Sequence, residues 1–181
     1  MSPPIETKRL LLRPFEPADA EAAFRWLSDP LVMRFSPAGA DGSLEQTRAR
    51  LAEYRRHQLA HGFSKWMILE RGSGQPIGDS GLLFLQDYDR IDLGFRLAPA
   101  HWGKGLATEA ADAWVRAAFE RFQIDRLTAF VHPENAASIR VLAKLGFAVV
   151  GPETILGMDS ILFSLDATAA LNQMTVDPPS L

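Results

Sequence analysis

The chain has no cysteine. That absence removes disulfides, thiolate nucleophiles and cysteine-based metal sites together. There is also no apolar run of membrane length and no basic-then-apolar opening. No membrane partner is therefore expected, and the cytoplasm is the expected location. Neither sign of charge dominates: 19 Lys and Arg stand against 22 Asp and Glu, a net charge of −3. Such a balance gives no case for nucleic acid as a partner. No internal repeat is present. Ser64, Ser80 and Ser138 lack a Gly-x-Ser-x-Gly context, so a hydrolase triad has no support. His57 and His61 have zinc-like spacing, but Gln58 stands where a metalloprotease glutamate would be. An exposed polar helix face is expected there, and no metal.

What remains is the composition of one globular domain, with 47% of its 181 residues hydrophobic and 23% charged. The core is expected over about residues 7–166. The segment 167–181, which contains Asp177-Pro178-Pro179-Ser180, is expected to be a mobile tail.

The organising stretch runs from Ile91 to Phe122. Ile91 to Ala98 reads as a buried strand stopped by Pro99. A loop with Gly103 and Gly105 follows, then a helix whose Leu106, Ala110, Trp114, Ala118 and Phe122 fall four apart on one stripe. Strand, glycine loop and helix together aim unpaired backbone N–H groups at an anion. Taken alone, two glycines at such a turn also simply make the turn. The sequence lacks both the Lys-Ser/Thr pair of the phosphate loop and the three-glycine dinucleotide fingerprint.

Elsewhere, Lys8 to Arg13 reads as a first strand, and Pro17 opens a helix with Ala20, Ala23, Phe24 and Leu27 on its apolar face. Leu31 to Pro37 is expected to be irregular. Ser43 with Gln46 forms a capping pattern for a helix to about His61. Strands are expected at Phe63–Glu70, Pro76–Leu85, Arg126–His132, Phe147–Gly151 and Ser160–Asp166. A short helix, Ala136 to Leu145, is capped by Asn135 and ended by Gly146. The order predicts one mixed α/β domain, with helices flanking a mostly antiparallel sheet.

Four segments carry a family resemblance. Trp102-Gly103-Lys104-Gly105-Leu106-Ala107 with Thr108-Glu109-Ala110 resembles the acetyl-CoA pyrophosphate loop of the GNAT N-acetyltransferase superfamily. Trp102 stands at that loop's usual Gln/Arg position, a form typical of the ribosomal-protein N-terminal acetyltransferases and their relatives. Thr7-Lys8-Arg9-Leu10 with Leu12-Arg13-Pro14, and Ile77-Gly78-Asp79 with Gly81-Leu82, resemble strands of that branch. Asn135-Ala136-Ala137-Ser138-Ile139 followed by Lys144-Leu145-Gly146-Phe147 resembles its Asn-x-x-Ser…GlyPhe segment. The resemblance covers about Thr7 to Asp166.

It implies a GNAT-like acyl-CoA N-acyltransferase fold with acetyl-CoA as cosubstrate. The CoA diphosphate would lie on N–H groups of Gly103, Lys104, Gly105, Leu106, Ala107 and Thr108. Phe95, Arg96 and Leu97 would pair with the pantetheine arm. Lys104 either adds charge or is a solvated loop lysine, and the Arg96 side chain faces either the cofactor or solvent. Trp102 would pack beside the cofactor. In this branch the Asn, here Asn135, contacts the pantetheine arm. The Ser, here Ser138, lies near the sulfur as a candidate acid. Leu142 stands where many members carry a tyrosine acid.

Acetyl transfer to an amine needs a neutral amine, a stabilised oxyanion and a protonated leaving thiolate. An α-amino group has a pKa of about 8, so a modest base suffices. Asp92 is the candidate base, an acid inside an apolar strand whose burial would raise its pKa. Its alternative is a solvated or arginine-paired strand end. Trp26, Arg34 and Phe35 are the candidate acceptor contacts, although Trp26 also reads, with Trp66 and Trp114, as a core residue. The expected activity is acetyl-CoA-dependent N-acetylation of a primary amine, on a protein N-terminus or a small molecule. The rival is a non-catalytic acyl-CoA-binding module. A monomer or homodimer is expected.

Overall fold

A computed structural model describes residues 2–170. Of the expected tail, 171–181 lies outside the described residues, while 167–170 is helical and buries Ala170 in the core. The strands are β1 (Ile5–Glu6), β2 (Leu10–Pro14), β3 (Lys65–Glu70), β4 (Pro76–Leu85), β5 (Arg90–Leu97), β6 (Arg126–Val131), β7 (Ala148–Ile155) and β8 (Met158–Asp166). The helices are α1 (Ala20–Leu27), α2 (Pro30–Met33), α3 (Leu44–His61), α4 (Leu106–Arg116) and α5 (Ala136–Lys144). The mixed α/β fold expected from the sequence is therefore present. Leu31–Met33 is the first difference: Asp29 caps the Leu31 amide and Pro30 fills the first position, so a single helical turn forms there.

All strands join one sheet in the order β1-β2-β3-β4-β5-β6-β8-β7. Every neighbouring pair is antiparallel except β5 and β6. That pair is parallel, and its register holds a single pairing, Asp92 with Thr128. A parallel pair requires a crossover, and α4 supplies it. Beyond Asp92 the two strands part, leaving the ends of β5 and β6 without each other's hydrogen bonds.

Alternation along the strands divides the side chains between two cores. On one face Trp66, Ile68, Leu82, Leu93 and Leu97 join Leu106, Ala110 and Trp114 of α4. On the other, Met67 meets Phe15, Trp26 and Leu27 beside Leu51 and Tyr54 of α3. Burial of each large apolar side chain contributes about 1.5–3 kcal/mol. Of the predicted stripe, Leu106, Ala110, Trp114 and Ala118 are buried and Phe122 is half-buried, and the helix widens into a π-helix over Ala117–Arg121.

Two further details departed from expectation. β7 runs on to Ile155 and turns back through Leu156 and Gly157, both at positive φ, a two-residue hairpin turn. His57 is not on an exposed face. Its Nδ1–H donates to the Phe63 carbonyl at 2.8 Å, and its Nε2 accepts from the Phe84 N–H at 2.9 Å.

Candidate active site

The parting of β5 from β6 opens the sheet to both faces. One groove, of about 560 Å³, lies on the α4–α5 side. A cavity of about 500 Å³ lies on the α3 side. Phe35, Phe95, Arg96, Asn135 and Ser138 line both, so the two spaces adjoin at the split.

The groove is built largely from main chain. Gly103 and Gly105 both take left-handed φ, 72° and 74°. That conformation is open to glycine and strained for other residues. Among the described residues, no backbone carbonyl accepts from the amides of Gly103 through Thr108; pairing resumes with Glu109 N–H to Gly105 O at 3.1 Å. These unpaired donors cluster at the positive end of α4. The loop is clamped from behind. Arg9 donates to the Lys104 carbonyl at 2.9 Å and to Glu109 at 2.6 Å. Thr7 Oγ1 and the Arg9 amide also donate to Glu109, at 2.6 and 2.8 Å. Burial would raise the Glu109 carboxyl, but these bonds outweigh it and hold the group below its usual range. Its negative charge is thereby matched at the helix start.

Of the cofactor candidates, Phe95, Leu97, Trp102, Gly103, Gly105, Leu106, Ala107, Thr108, Asn135 and Ser138 all line this groove. Trp102 is 45% exposed and its Nε1–H donates to the Leu97 carbonyl at 2.7 Å, fixing it along the strand. Lys104 is exposed and absent from the lining. Arg140 and Lys144 of α5 line the opposite wall, two cations the sequence reading did not single out.

Arg96 lines both spaces, yet its guanidinium is committed to the α3 side. It donates to Asp79 at 2.8 and 3.0 Å and to the Tyr54 hydroxyl at 2.8 Å. Burial disfavours its charge, but Asp79 and Tyr54 outweigh that and raise its pKa. Neither expected direction, cofactor or solvent, is the one taken. Trp26 also needs correction as an acceptor contact. It is 1% exposed and its Nε1–H donates to Asp79 at 2.7 Å, so it is a strut beneath the cavity. The expected apolar face of α1 held Ala20, Ala23, Phe24 and Leu27, and the buried Asp79 carboxylate explains why the Trp26 indole turns inward as well.

Arg34 and Phe35 do reach the groove. The Phe35 ring stacks on His132 with centroids 4.9 Å apart, and the Arg34 guanidinium lies 4.8 Å from the same ring. An exposed ion pair of 3.6 Å between Arg34 and Glu134 ties this segment to the start of α5. Asn135 Oδ1 accepts from the Ser138 N–H at 3.2 Å, which caps α5. The Ser138 hydroxyl has no hydrogen-bond partner among the described residues. Leu142, fully buried, lines the cavity below it.

Asp92 sits at the crotch of the split, 8% exposed and on the cavity wall. Thr128 Oγ1 lies 3.4 Å from its carboxylate. Burial pushes the carboxyl up to about 8, partly offset by Lys65. Lys65 was missed. It is a lysine inside a buried strand, the same signal that singled out Asp92. Burial and the neighbouring Arg96 bring its ammonium down to about 8. Interacting groups of this kind titrate as a pair.

A family model for the acetyltransferase (GNAT) domain matches residues 9–148. The chain is 33% identical over 153 residues to the N-acetyltransferase YoaA of Bacillus subtilis, itself uncharacterized, covering 83% of this chain and 86% of that one. A GNAT-family acetyltransferase from Bacillus anthracis superposes with a TM-score of 0.80 at 26% identity, over 92% of this chain and 99% of that one. RimL, a ribosomal L7/L12 α-N-protein acetyltransferase solved with coenzyme A, superposes with a TM-score of 0.78 at 18% identity, over 92% and 99% of the two chains. At that identity the likeness is one of fold.

Proposed function

We propose that this chain, a member of the GNAT acetyltransferase family and an N-acetyltransferase, moves the acetyl group of acetyl-CoA directly onto a primary amine held in the α3-side cavity. The observation that carries this reading is the split between β5 and β6. It has unpaired amides at one mouth and a buried carboxylate at the other.

The CoA diphosphate lies on the amides of Gly103 to Thr108, where a helix start favours negative charge. Arg140 and Lys144 supply further positive charge along the groove. The pantetheine arm follows the open edge of β5 past Phe95 and Leu97, with Asn135 facing it and Trp102 beside it. The thioester then reaches the split. Asp92 takes a proton from the acceptor ammonium. The neutral nitrogen attacks the thioester carbonyl, the new C–N bond forms, and the C–S bond breaks. Backbone N–H groups at the open edge of β5 stabilise the oxyanion. As the tetrahedral intermediate collapses, the departing thiolate takes a proton from Ser138 or from water, and the second proton leaving the nitrogen restores that donor. Phe35 and His132 close over the reacting centre and exclude water.

The test is thiol release from acetyl-CoA across a panel of amines and N-terminal peptides. Release that depends on both acetyl-CoA and amine is the expected result. CoA binding without turnover on any amine would instead make the chain an acyl-CoA-binding module.

A further inference from the structure

Three cations line the α3-side cavity, and two are already spoken for. Arg96 is bonded to Asp79 at 2.8 Å and Arg50 to Asp41 at 2.6 Å. The third, Lys65, is 7% exposed, and the one hydrogen bond its ammonium makes among the described residues is to the Gly81 carbonyl, at 3.1 Å. Two donors of a buried ammonium are therefore left over. Such a group is costly to bury without partners.

Its position follows from the sheet. Lys65 of β3 pairs with Gly81 of β4, which pairs with Gly94 of β5. The side chain runs across this row toward the split. A Cβ added at Gly94 would stand 2.2 Å from the lysine Nζ. Gly94 therefore clears the place where the ammonium rests. Asp92 lies two residues earlier on the same face of β5, roughly 6–7 Å along the strand. The two groups form no ion pair among the described residues. Both line the cavity, so a small ligand carrying both charges finds a partner for each there.

We infer that Lys65 is the carboxylate anchor of the acceptor site, and that the acceptor is a small amine with a carboxylate a few bonds from its nitrogen, a free amino acid. This rests on the reading that the amine binds beside Asp92. An amino acid bridging the two would place its ammonium on Asp92 and its carboxylate on Lys65, each by a charge-assisted hydrogen bond of about 2.8 Å. A polyamine would need a second acid, but Asp92 is the one acid among the residues lining the cavity, and Asp41 and Asp79 behind it are held by arginines. A peptide N-terminus offers Lys65 only a neutral carbonyl.

The test measures thiol release from acetyl-CoA with each of the twenty common amino acids, each against its C-terminal amide, and with spermidine. The wild type is expected to prefer a free amino acid over its amide by at least tenfold in kcat/KM. Assayed above the pH limb of each enzyme, Lys65→Met should erase that preference mainly through KM for the free acid, whereas Lys65→Arg should retain part of it. An amide or spermidine used as well as the acid by the wild type would overturn the inference. So would a Lys65→Met variant that keeps the wild-type ratio of kcat/KM for acid over amide. Should Asp92→Asn leave turnover intact while Lys65→Met still erases the preference, Asp92 is not the base but the carboxylate anchor stands. If no amine turns over, calorimetry of the same amino acids on the CoA-bound protein decides. Binding lost in Lys65→Met supports the anchor, and no binding to the wild type overturns it.

Discussion

The two mouths of the split are built from different materials. The α4–α5 groove is made of backbone: positive-φ glycines, unpaired amides and a helix start, braced by Arg9 and Glu109 from outside. The α3-side cavity carries charge in its lining: Lys65, Asp92, Arg96 and Arg50, with Asp79 and Asp41 pairing the two arginines from behind. Main chain can recognise a diphosphate whatever the surrounding side chains are. Buried ionic side chains bind well only a partner that satisfies them. The first wall thus suits a cosubstrate shared by a whole family, and the second an acceptor particular to this chain.

Substitutions can sharpen or break this contrast. The largest effect is expected from Asp92→Asn. It should lower kcat by about 10²–10⁴ as loss of a general base, while CoA affinity measured by calorimetry stays unchanged. A matched fall in CoA affinity would merge the two walls into one. Next, Asp79→Ala leaves Arg96 and the Trp26 indole without their shared partner. About 3–5 kcal/mol of stability should be lost in urea unfolding, since one half of a buried ion pair is removed. A loss below about 1 kcal/mol would mean the α3-side charges are not structural. Third, Gly105→Val forces a β-branched residue to a φ of 74°, at a strain of about 1–3 kcal/mol. CoA affinity should fall about 5- to 150-fold by calorimetry, with the preference among amines intact.

Two pH effects are smaller. The kcat profile should rise toward a limb near pH 8, because burial keeps Asp92 protonated below that point. Lys65→Met should move the limb to higher pH, since the lysine charge favours the carboxylate. The smallest effect concerns stability. Burial lowers the His57 pKa below 6.5, with His61 adding to it and the Phe63 carbonyl opposing. The unfolded chain then binds the extra proton first. Stability is complete above about pH 6.5 and is lost as pH falls through the folded value. Thermal melts of His57→Gln should be flatter over that window.

How much was legible in the sequence follows the same division. The glycine loop, the α4 stripe and the Asn135 cap are local patterns, and the structure holds each where spacing put it. α3 begins and ends at Leu44 and His61 because Ser43 and Gly62 are local cap signals. The cavity was not legible, because its parts meet only through long-range pairing. Lys65, Gly81 and Gly94 lie on three strands, and Tyr54 of α3 and Asp79 of β4 both reach Arg96 of β5. Trp26 looked like an acceptor contact because nothing local places the Asp79 carboxylate behind it. Arg9 was quoted as part of a motif, but its grip on Lys104 and Glu109 spans about a hundred positions of chain.

The most direct measurement is backbone amide hydrogen exchange, by NMR, with and without CoA. Exchange at Gly103 through Thr108 should slow by at least tenfold on adding CoA, and revert toward the free rate with pantetheine, which lacks the diphosphate. Equal exchange at those amides in the presence of saturating CoA would contradict the assignment of this turn as the diphosphate cradle.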